Sequence, residues 1–287
     1  MVADQASKAQ ARTREKVAPS LASFEKELHK VAARKVFQER MVSTFSPLLL
    51  LVIWELLVTF GILDFRFFSK PSVIAGTFWK LIASGELLTH LNASIVRICV
   101  GFLLGTIPGI FLGIIMGLSR IVRAAINPMI AATYPIPKIA ILPLILLIFG
   151  LGEQSKYAIV AIGTFYIALI NTMAGVMNID KIYLDVGKNF GANRMNIWWT
   201  VALPGALPII FAGIKLGWGI ALLLIVAAEF VGAKSGIGFL IWNSWQVFSI
   251  EQMFVGLLTI SALGFVSSLL LDELEKKVVP WKAATIS

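Results

Sequence analysis

Six long apolar blocks, separated by shorter polar stretches, dominate the hydrophobic pattern of this chain. A helix needs roughly 20 apolar residues to cross the hydrocarbon layer of a bilayer, and the blocks are close to that length or longer. No alternating strand pattern recurs, which argues against an outer-membrane barrel. The pattern predicts an all-α, polytopic membrane protein with a transmembrane domain over residues 46–271. The predicted spans are 46–63, 93–118, 126–150, 157–178, 208–231 and 253–271.

Regularly spaced glycines mark the second of these blocks, and several prolines mark the third. Glycines recur every four residues in the second block, so they line one helical face on which a neighbouring helix can pack closely. Prolines interrupt the third block, and a broken helix persists in a membrane only where protein or a cavity satisfies its backbone groups. The glycines are Gly101, Gly105, Gly109, Gly113 and Gly117, and the prolines are Pro128, Pro135, Pro137 and Pro143.

The polar segments outside the blocks predict three further features. Residues 1–45 carry mixed charge and do not have the form of a secretory signal, so we expect a cytoplasmic N-terminal arm with a weakly amphipathic helix over 20–40. A regulatory role for this arm is the alternative. Pro71 is expected to open a surface helix at the membrane interface. Residues 272–287 form a basic tail.

The composition agrees with a membrane protein and gives an orientation. The chain of 287 residues is 58% hydrophobic and 14% charged, with a net charge of +9 and a mean hydropathy of +0.85. Lysine and arginine concentrate on cytoplasmic loops. With the N-terminus inside, the inner segments hold 17 of these residues and the outer segments hold 5. We therefore expect both termini and residues 179–206 to be cytoplasmic, and no nucleic-acid partner.

Metal, disulfide and nucleotide chemistry find little support in the sequence. Cys99 is the single cysteine and lies in an apolar run, and the two histidines are not clustered. The segment Gly232–Gly236 lacks the spacing of a phosphate-binding loop. We expect no metal site, no cofactor and no bound ATP, so any energy from ATP must come through a partner.

The segment Asp185–Pro208 is unusual for a membrane-protein loop because it has predictable order. Helices are expected over 181–190 and 194–202, with Gly191 ending the first and Asn193 capping the second. This predicts a rigid elbow with aromatic side chains as apolar knobs, which suit either a protein partner or packing on the chain's own bundle. The knobs are Tyr183, Phe190, Trp198 and Trp199.

This elbow resembles the EAA loop of bacterial ABC importer permeases, which reads E-A-A-x-x-x-G, about nine residues, and I-x-L-P. Asp replaces Glu and Val-Gly replaces Ala-Ala here, while the glycine and the Leu-Pro keep their separation. The resemblance implies that the elbow is the coupling helix that docks into a groove of an ATPase subunit. The residues implied are Asp185, Val186, Gly187, Phe190, Gly191, Arg194, Leu203 and Pro204.

Further motifs resemble the nitrate/sulfonate/taurine branch of these permeases, over roughly residues 45–275. They are Ser94–Arg97 with Gly101-Phe102, Pro135–Pro143, Phe149–Gly152, Ala228-Glu229 and Gly236–Gly238. The resemblance implies a type I importer in the bacterial inner membrane that works by alternating access. Its implied partners are a second copy of the permease, two cytoplasmic ATP-binding subunits, an extracytoplasmic solute-binding protein and membrane lipid. A small anion such as nitrate, bicarbonate, a sulfonate or taurine is the expected solute, while neutral or cationic vitamin precursors stay open.

Five charged residues lie within the predicted spans: Glu55, Arg97, Lys138, Lys215 and Glu229. Such charges are expensive in a bilayer and usually face the bundle interior or a solute path. Arg97 and Glu229 lie at the same level of the membrane, so they form either part of a substrate pathway or a structural ion pair. Lys215 is expected to be a paired structural charge or to reach the interface, and Glu55 is expected to be structural.

Two other classes of function compete with the permease. A secondary carrier driven by an ion gradient is the alternative, and such carriers often contain inverted repeats, of which we find none. An intramembrane enzyme needs a nucleophile with a base, or a metal motif such as H-E-x-x-H. His29 and His90 both lie outside the predicted spans, so we expect no catalytic residues.

Overall fold

The structure is a computed structural model that describes residues 34–35, 37–39, 41–43 and 45–281. The predicted N-terminal arm lies largely outside the described residues, as do residues 282–287 of the predicted tail. The chain divides into two compact units, Met1–Pro71 and Ser72–Ser287.

The first unit contains one long apolar helix, α1, which covers Phe37–Thr59. It ends four residues before the predicted end of the first span, residue 63. Gly61 adopts a φ of 71°, and the Ile62 N–H donates to the Leu57 carbonyl at 3.0 Å. These are features of a Schellman motif, which satisfies the last carbonyls of a helix as the chain turns away.

The chain from Pro71 onward is built of helices joined by short connections. A 3₁₀-helix (Lys138–Ile141) precedes α5, and a π-helix (Trp198–Ala202) precedes α9. The α-helices are α2 Pro71–Ala83, α3 Glu86–Leu118, α4 Arg120–Thr133, α5 Leu142–Phe149, α6 Glu153–Met177, α7 Lys181–Asn189, α8 Arg194–Ile197, α9 Leu203–Phe230, α10 Ile237–Gln246 and α11 Ile250–Val278.

Five helical runs in the described chain are long and apolar enough to cross a membrane: α1, α3, α6, the run Met195–Phe230, and α11. A sixth arises if α4 and the run Lys138–Phe149 count as one span, since they pass the same test together but meet at an angle of 84°. The prediction of an all-α protein with about six transmembrane helices is confirmed.

The broken span begins earlier than the sequence pattern predicts. The third span was predicted to begin at residue 126, but only Ser119 separates α3 from α4, which begins at Arg120. The Ser119 hydroxyl accepts a hydrogen bond from the Val122 N–H at 3.4 Å, which starts α4. Arg123 folds back, and its Nη1 donates to the carbonyls of Met116 at 2.9 Å and of Gly117 at 3.1 Å. The basic side chain thus caps α3 from within the next helix.

The predicted glycine face of α3 is the surface on which α6 packs. A Cβ atom added at Gly101 would lie 2.7 Å from the Val160 Cβ, and one added at Gly113 would lie 2.7 Å from the Leu169 carbonyl oxygen. Gly105, Gly109 and Gly117 face the same helix at similar distances. The backbones of α3 and α6 therefore touch along most of their length, and the helix pair forms the centre of the bundle.

The short helix α10 was not predicted from the sequence. It packs against α9, α11 and α3, and it buries Ile237, Leu240 and Ile241. Ten residues are too few for a spanning helix. The sequence pattern therefore offers only a short apolar run between two spans, which does not distinguish a helix from a loop.

Candidate functional site

The elbow between α6 and α9 has three caps, Asp180, Gly191 and Asn193, of which the sequence predicts the last two. Asp180 begins α7 by accepting a hydrogen bond from the Ile182 N–H at 3.0 Å. Gly191 ends it with a φ of 74°. The Gly191 N–H donates to the Lys188 carbonyl at 2.9 Å and the Ala192 N–H donates to the Gly187 carbonyl at 3.0 Å, the two bonds of a Schellman motif. The role of Gly191 as a helix-ending glycine is confirmed.

The second half of the elbow continues into α9 without a break. The Asn193 side chain caps α8 by accepting from the Asn196 N–H at 2.8 Å, as predicted. The π-helix then leads directly into Leu203 and Pro204, the first residues of α9. Pro204 has no N–H to donate, but the helical run Met195–Phe230 passes through it unbroken, directly after the π-helix. The elbow is therefore a rigid extension of α9.

Three of the four predicted knobs point outward, and one does not. Phe190 is 88% exposed, and Tyr183 and Trp199 are exposed as well. Trp198 follows the other alternative, packing on the chain's own bundle, and is half-buried. Its ring packs edge-to-face on Phe111 of α3 at a centroid distance of 5.5 Å. It also packs on the core that Ile114, Val176, Ala202, Ala206 and Ile210 form. Trp198 therefore anchors the elbow to the bundle.

The other predicted coupling residues occupy distinct places in the elbow. Asp185 is exposed and pairs with Lys188 at 3.3 Å, and Val186 is exposed beside it. Gly187 faces the second half of the elbow, where an added Cβ would lie 3.7 Å from the Val201 side chain. Arg194 begins α8. The exposed side of α7 is thus free of the bundle, while its glycine side closes the elbow.

Arg97 lies at the opposite end of the bundle, and all five of its N–H donors are engaged. Its Nε and Nη2 donate to the two carboxylate oxygens of Glu153 at 2.6 and 2.7 Å. Its Nη1 donates to Glu229 Oε1 at 2.9 Å and to the Ser235 carbonyl at 2.6 Å, and Nη2 also donates to Ser235 Oγ at 3.2 Å. The ion pair between Arg97 and Glu229, one of the two alternatives that the sequence leaves open, is therefore present.

The Glu229 side chain is fully buried and lies at the N-terminus of α10. Its carboxylate accepts hydrogen bonds from the Gly238 N–H at 2.8 Å and from the Ser94 hydroxyl at 2.9 Å. Ser94 Oγ in turn accepts from the Ile237 N–H at 2.8 Å. A carboxylate at a helix N-terminus satisfies unpaired N–H groups and opposes the positive end of the helix dipole. Glu229 thus binds α10 as well as Arg97.

The sequence matches the family described as binding-protein-dependent transport system inner membrane component over residues 109–280. The chain belongs to this family. A permease named for aliphatic sulfonate transport, SsuC of Bacillus subtilis, is 34% identical over 242 residues, which cover 84% of this chain and 88% of that protein. A permease named for riboflavin transport, RibX of Chloroflexus aurantiacus, is 34% identical over 237 residues, which cover 83% of this chain and 88% of that protein.

A solved structure of the MetNI methionine ABC transporter, in an inward-facing conformation, has the same fold. Its TM-score is 0.60 at 17% sequence identity, over 68% of this chain and 97% of that chain. The chain is therefore the permease subunit of an ABC importer and a multi-pass inner membrane protein, with ATP hydrolysis on a separate subunit. Nothing in these similarities supports the alternative of an ion-gradient-driven carrier.

Lys215 of the permease is a paired charge, as predicted. Its ammonium contacts Asp272 at 2.5 Å and also bonds to Glu275, both on α11. The helices α9 and α11 are thereby joined near the elbow end of the bundle. Because two carboxylates surround it, Lys215 contributes no free positive charge to the protein interior.

Two charged residues at the Arg97 end of the permease were not predicted. Glu153 binds Arg97 across 56 positions of sequence, and Lys156 is buried with its Nζ bonded to the carbonyls of Leu151 and Gly152. With Arg97 and Glu229 they make two positive and two negative charges. The only sequence signal is that Glu153 and Lys156 stand next to the start of an apolar block, which gives no partner.

Proposed function

We propose that the elbow, residues 180–204, is the surface through which this permease receives force from its ATPase subunit, as the EAA resemblance implies. Two caps and the Trp198 anchor support the proposal, because they join the elbow rigidly to α9 and α3. The exposed Phe190, Tyr183 and Val186 supply apolar area for a partner. A rigid element with exposed aromatic side chains is well suited to a protein interface.

The assembly we propose is a homodimer with both termini and the elbow on the cytoplasmic side. The excess of Lys and Arg on the proposed inner segments supports this orientation. In the same orientation, the Arg97 end of the bundle faces the solute-binding protein. Two ATP-binding subunits then contact the two elbows, and alternating access moves the solute between the two copies.

We propose a structural role for Arg97 and Glu229 in place of direct solute contact. The five donors of Arg97 are all bonded within the protein, and its side chain is only 5% exposed. A solute anion would have to displace Glu153 or Glu229 to reach it. The pair therefore holds α3, α6, α9 and the segment before α10 together at the end of the bundle where the solute enters.

The solute class that we propose is a small organic anion, of which a sulfonate is the leading example. The relative named for aliphatic sulfonate transport supports this class. The relative named for riboflavin transport is equally similar, so similarity alone does not select the solute.

A matched pair of substitutions tests the docking surface. Phe190 and Phe248 are 88% and 83% exposed, but they lie at opposite ends of the bundle. Burial of one aromatic side chain contributes roughly 1.5–3 kcal/mol, or about a tenfold to hundredfold change in affinity. Phe190→Glu should therefore greatly reduce copurification of the ATPase subunit with the permease from detergent extracts.

Phe248→Glu is the control, and the permease carrying it should retain the ATPase subunit as the unaltered permease does. Both variants should reach the membrane in normal amounts, because neither side chain is buried. Equal retention of the ATPase by the two variants would show that Phe190 is not at the interface. Loss in both would point to a general effect of a new negative charge.

A further inference from the structure

The break in the α4–α5 span is level with the middle of α6, a helix long and apolar enough to cross a membrane. Tyr166 is the fourteenth of the 25 residues of α6, and its hydroxyl donates to Thr133 Oγ1 at 3.0 Å. Thr133 is the last residue of α4, so the break is level with the midpoint of α6. At 1.5 Å per residue, the break is about 20 Å from the start of that helix.

Lys138 follows this break and turns its ammonium group back onto it. The Nζ donates to the carbonyls of Thr133 at 3.2 Å, Tyr134 at 2.9 Å and Ile136 at 2.9 Å. It also lies 4.5 Å from the centroid of the Tyr166 ring. Free carbonyls at a helix end need donors inside a membrane, and Lys138 supplies them. The Lys138 ammonium group therefore stabilises the break by satisfying its free carbonyls.

The charge of Lys138 is not neutralised by an acid within the part of the chain that the structure describes. No carboxylate of the described residues lies within 4 Å of its Nζ, whereas Arg97 and Lys215 each contact two. A helix C-terminus carries the equivalent of about half a negative charge, so the carbonyls of α4 offset Lys138 only in part. A net positive charge therefore remains at mid-span.

A groove of about 440 Å³ lies beside this charge. Tyr134, whose ring centroid is 5.7 Å from the Lys138 Nζ, forms part of its wall. Asn171 of α6 and Gly219 of α9 form other parts, and so does Lys215, which Asp272 and Glu275 of α11 contact. The volume lies in the range of small-molecule sites.

We propose that this groove is a contact site for the transported solute, and that Lys138 selects an organic anion of the sulfonate or carboxylate class there. The proposal rests on the function proposed above for the claim that the bound anion is the cargo. An ionisable residue inside a membrane usually marks a solute path. Because no carboxylate of the described residues neutralises Lys138, its positive charge favours anionic solutes along that path.

Cysteine labelling tests the site without ATP, binding protein or knowledge of the solute. In the complete permease with Cys99→Ala, Gly219→Cys places a thiol in the groove, since a Cβ added at Gly219 meets nothing within 4 Å. The probes are 2-sulfonatoethyl methanethiosulfonate, which carries an ethanesulfonate anion, and the trimethylammonium analogue of similar size. The quantity measured is the ratio of the anionic to the cationic labelling rate.

Lys138→Gln removes the charge but keeps amide donors for the carbonyls, and it should lower that ratio on the order of tenfold. This is the size expected for a unit charge about 10 Å away at a dielectric constant of about 40. Lys138→Arg should keep the ratio. Ala83→Cys, in the exposed last turn of α2, should give the same ratio with and without Lys138→Gln.

An unchanged ratio in Lys138→Gln would overturn the proposal, as would a thiol at position 219 that neither probe reaches. If the Lys138→Gln variant does not accumulate, a protection experiment on the permease with Lys138 intact replaces the comparison of labelling rates. With Lys138 intact, an excess of ethanesulfonate should slow labelling at position 219, whereas neutral acetamide should not. Absence of protection would also overturn the site. The Phe190 experiment reads ATPase binding alone, so the two proposals fail separately.

Discussion

Gly191 offers a test of coupling that separates backbone geometry from side-chain contact. Its φ of 74° lies in the left-handed region, yet a Cβ added there would meet nothing within 4 Å. A substitution therefore causes no collision, and its whole cost is conformational. That cost falls on the two Schellman hydrogen bonds that fix the direction in which α8 leaves α7.

The substitutions at Gly191 should form a graded series. Asparagine adopts the left-handed region with little penalty, so Gly191→Asn should behave almost as the unaltered permease does. Gly191→Ala should cost about 1–2 kcal/mol. Gly191→Val, with a β-branched side chain, should cost as much as about 3 kcal/mol. A cost of 1.4 kcal/mol lowers the equilibrium constant for the native elbow conformation by a factor of ten. How much of the valine variant keeps the native elbow therefore depends on how strongly the rest of the protein stabilises that conformation.

The assay is solute uptake and solute-stimulated ATP hydrolysis in vesicles that contain the complete transporter. We expect uptake to fall in the order asparagine, alanine, valine. Gly191→Val should still insert in the membrane, because the spanning helices do not use this residue. It should either lose the ATPase subunit or hydrolyse ATP without matching uptake, and a pull-down distinguishes the two results.

Gly76→Val is the matched control. Gly76 has an ordinary backbone conformation in α2 and also has open space around an added Cβ. It should therefore leave uptake largely unchanged. Normal uptake in Gly191→Val with a fully bound ATPase would refute the argument, because it would show that the direction of α8 does not matter for coupling.

Two further predictions concern the bundle itself. Gly113→Ala should sharply lower the melting temperature of the detergent-solubilised permease, because the new Cβ would lie 2.7 Å from the Leu169 carbonyl oxygen. The control Gly76→Ala should leave the melting temperature unchanged. Equal melting temperatures for the two variants would contradict the packing of α3 on α6. Arg97→Gln and Glu229→Gln should each destabilise the permease by about 3–5 kcal/mol, and the double variant by less than the sum; strict additivity in a double-mutant cycle would show that the pair does not interact.

The features that the sequence predicted well are those with a local chemical signature. The glycine face of α3 follows from a four-residue period, which is a property of the helix alone. Gly191 and Asn193 act on backbone groups within a few residues of themselves, so their positions suffice to indicate two caps. The level shared by Arg97 and Glu229 follows from counting along two predicted spans, and the ion pair follows from it.

The features that were missed depend on how a helix is rotated about its own axis and on partners that are distant in the sequence. The sequence left open whether Trp198 faces a partner or the bundle; its ring, which lies in the π-helix, packs edge-to-face on Phe111 of the bundle. Glu153 binds Arg97 only because α3 and α6 are packed closely enough at their ends, which no spacing rule gives. The charge balance at Lys138 likewise depends on which carboxylates approach it in space.

The helix α9 links the two ends of the permease in one piece. Its 28 residues rise about 40 Å. The elbow enters its first turn directly through the π-helix, and Glu229 lies one residue before its end. Because Glu229 accepts a hydrogen bond from the Gly238 N–H at the start of α10, a tilt of α9 that begins at the elbow must either carry α10 with it or remove a donor from a buried carboxylate. Leaving a buried charged group without its hydrogen-bond donor is costly, so α10 should move with α9 as one body. In the coupling that we propose, the Arg97 network would make the end of the bundle move with the elbow as a unit, and the groove beside Lys138 lies between these two regions along α9.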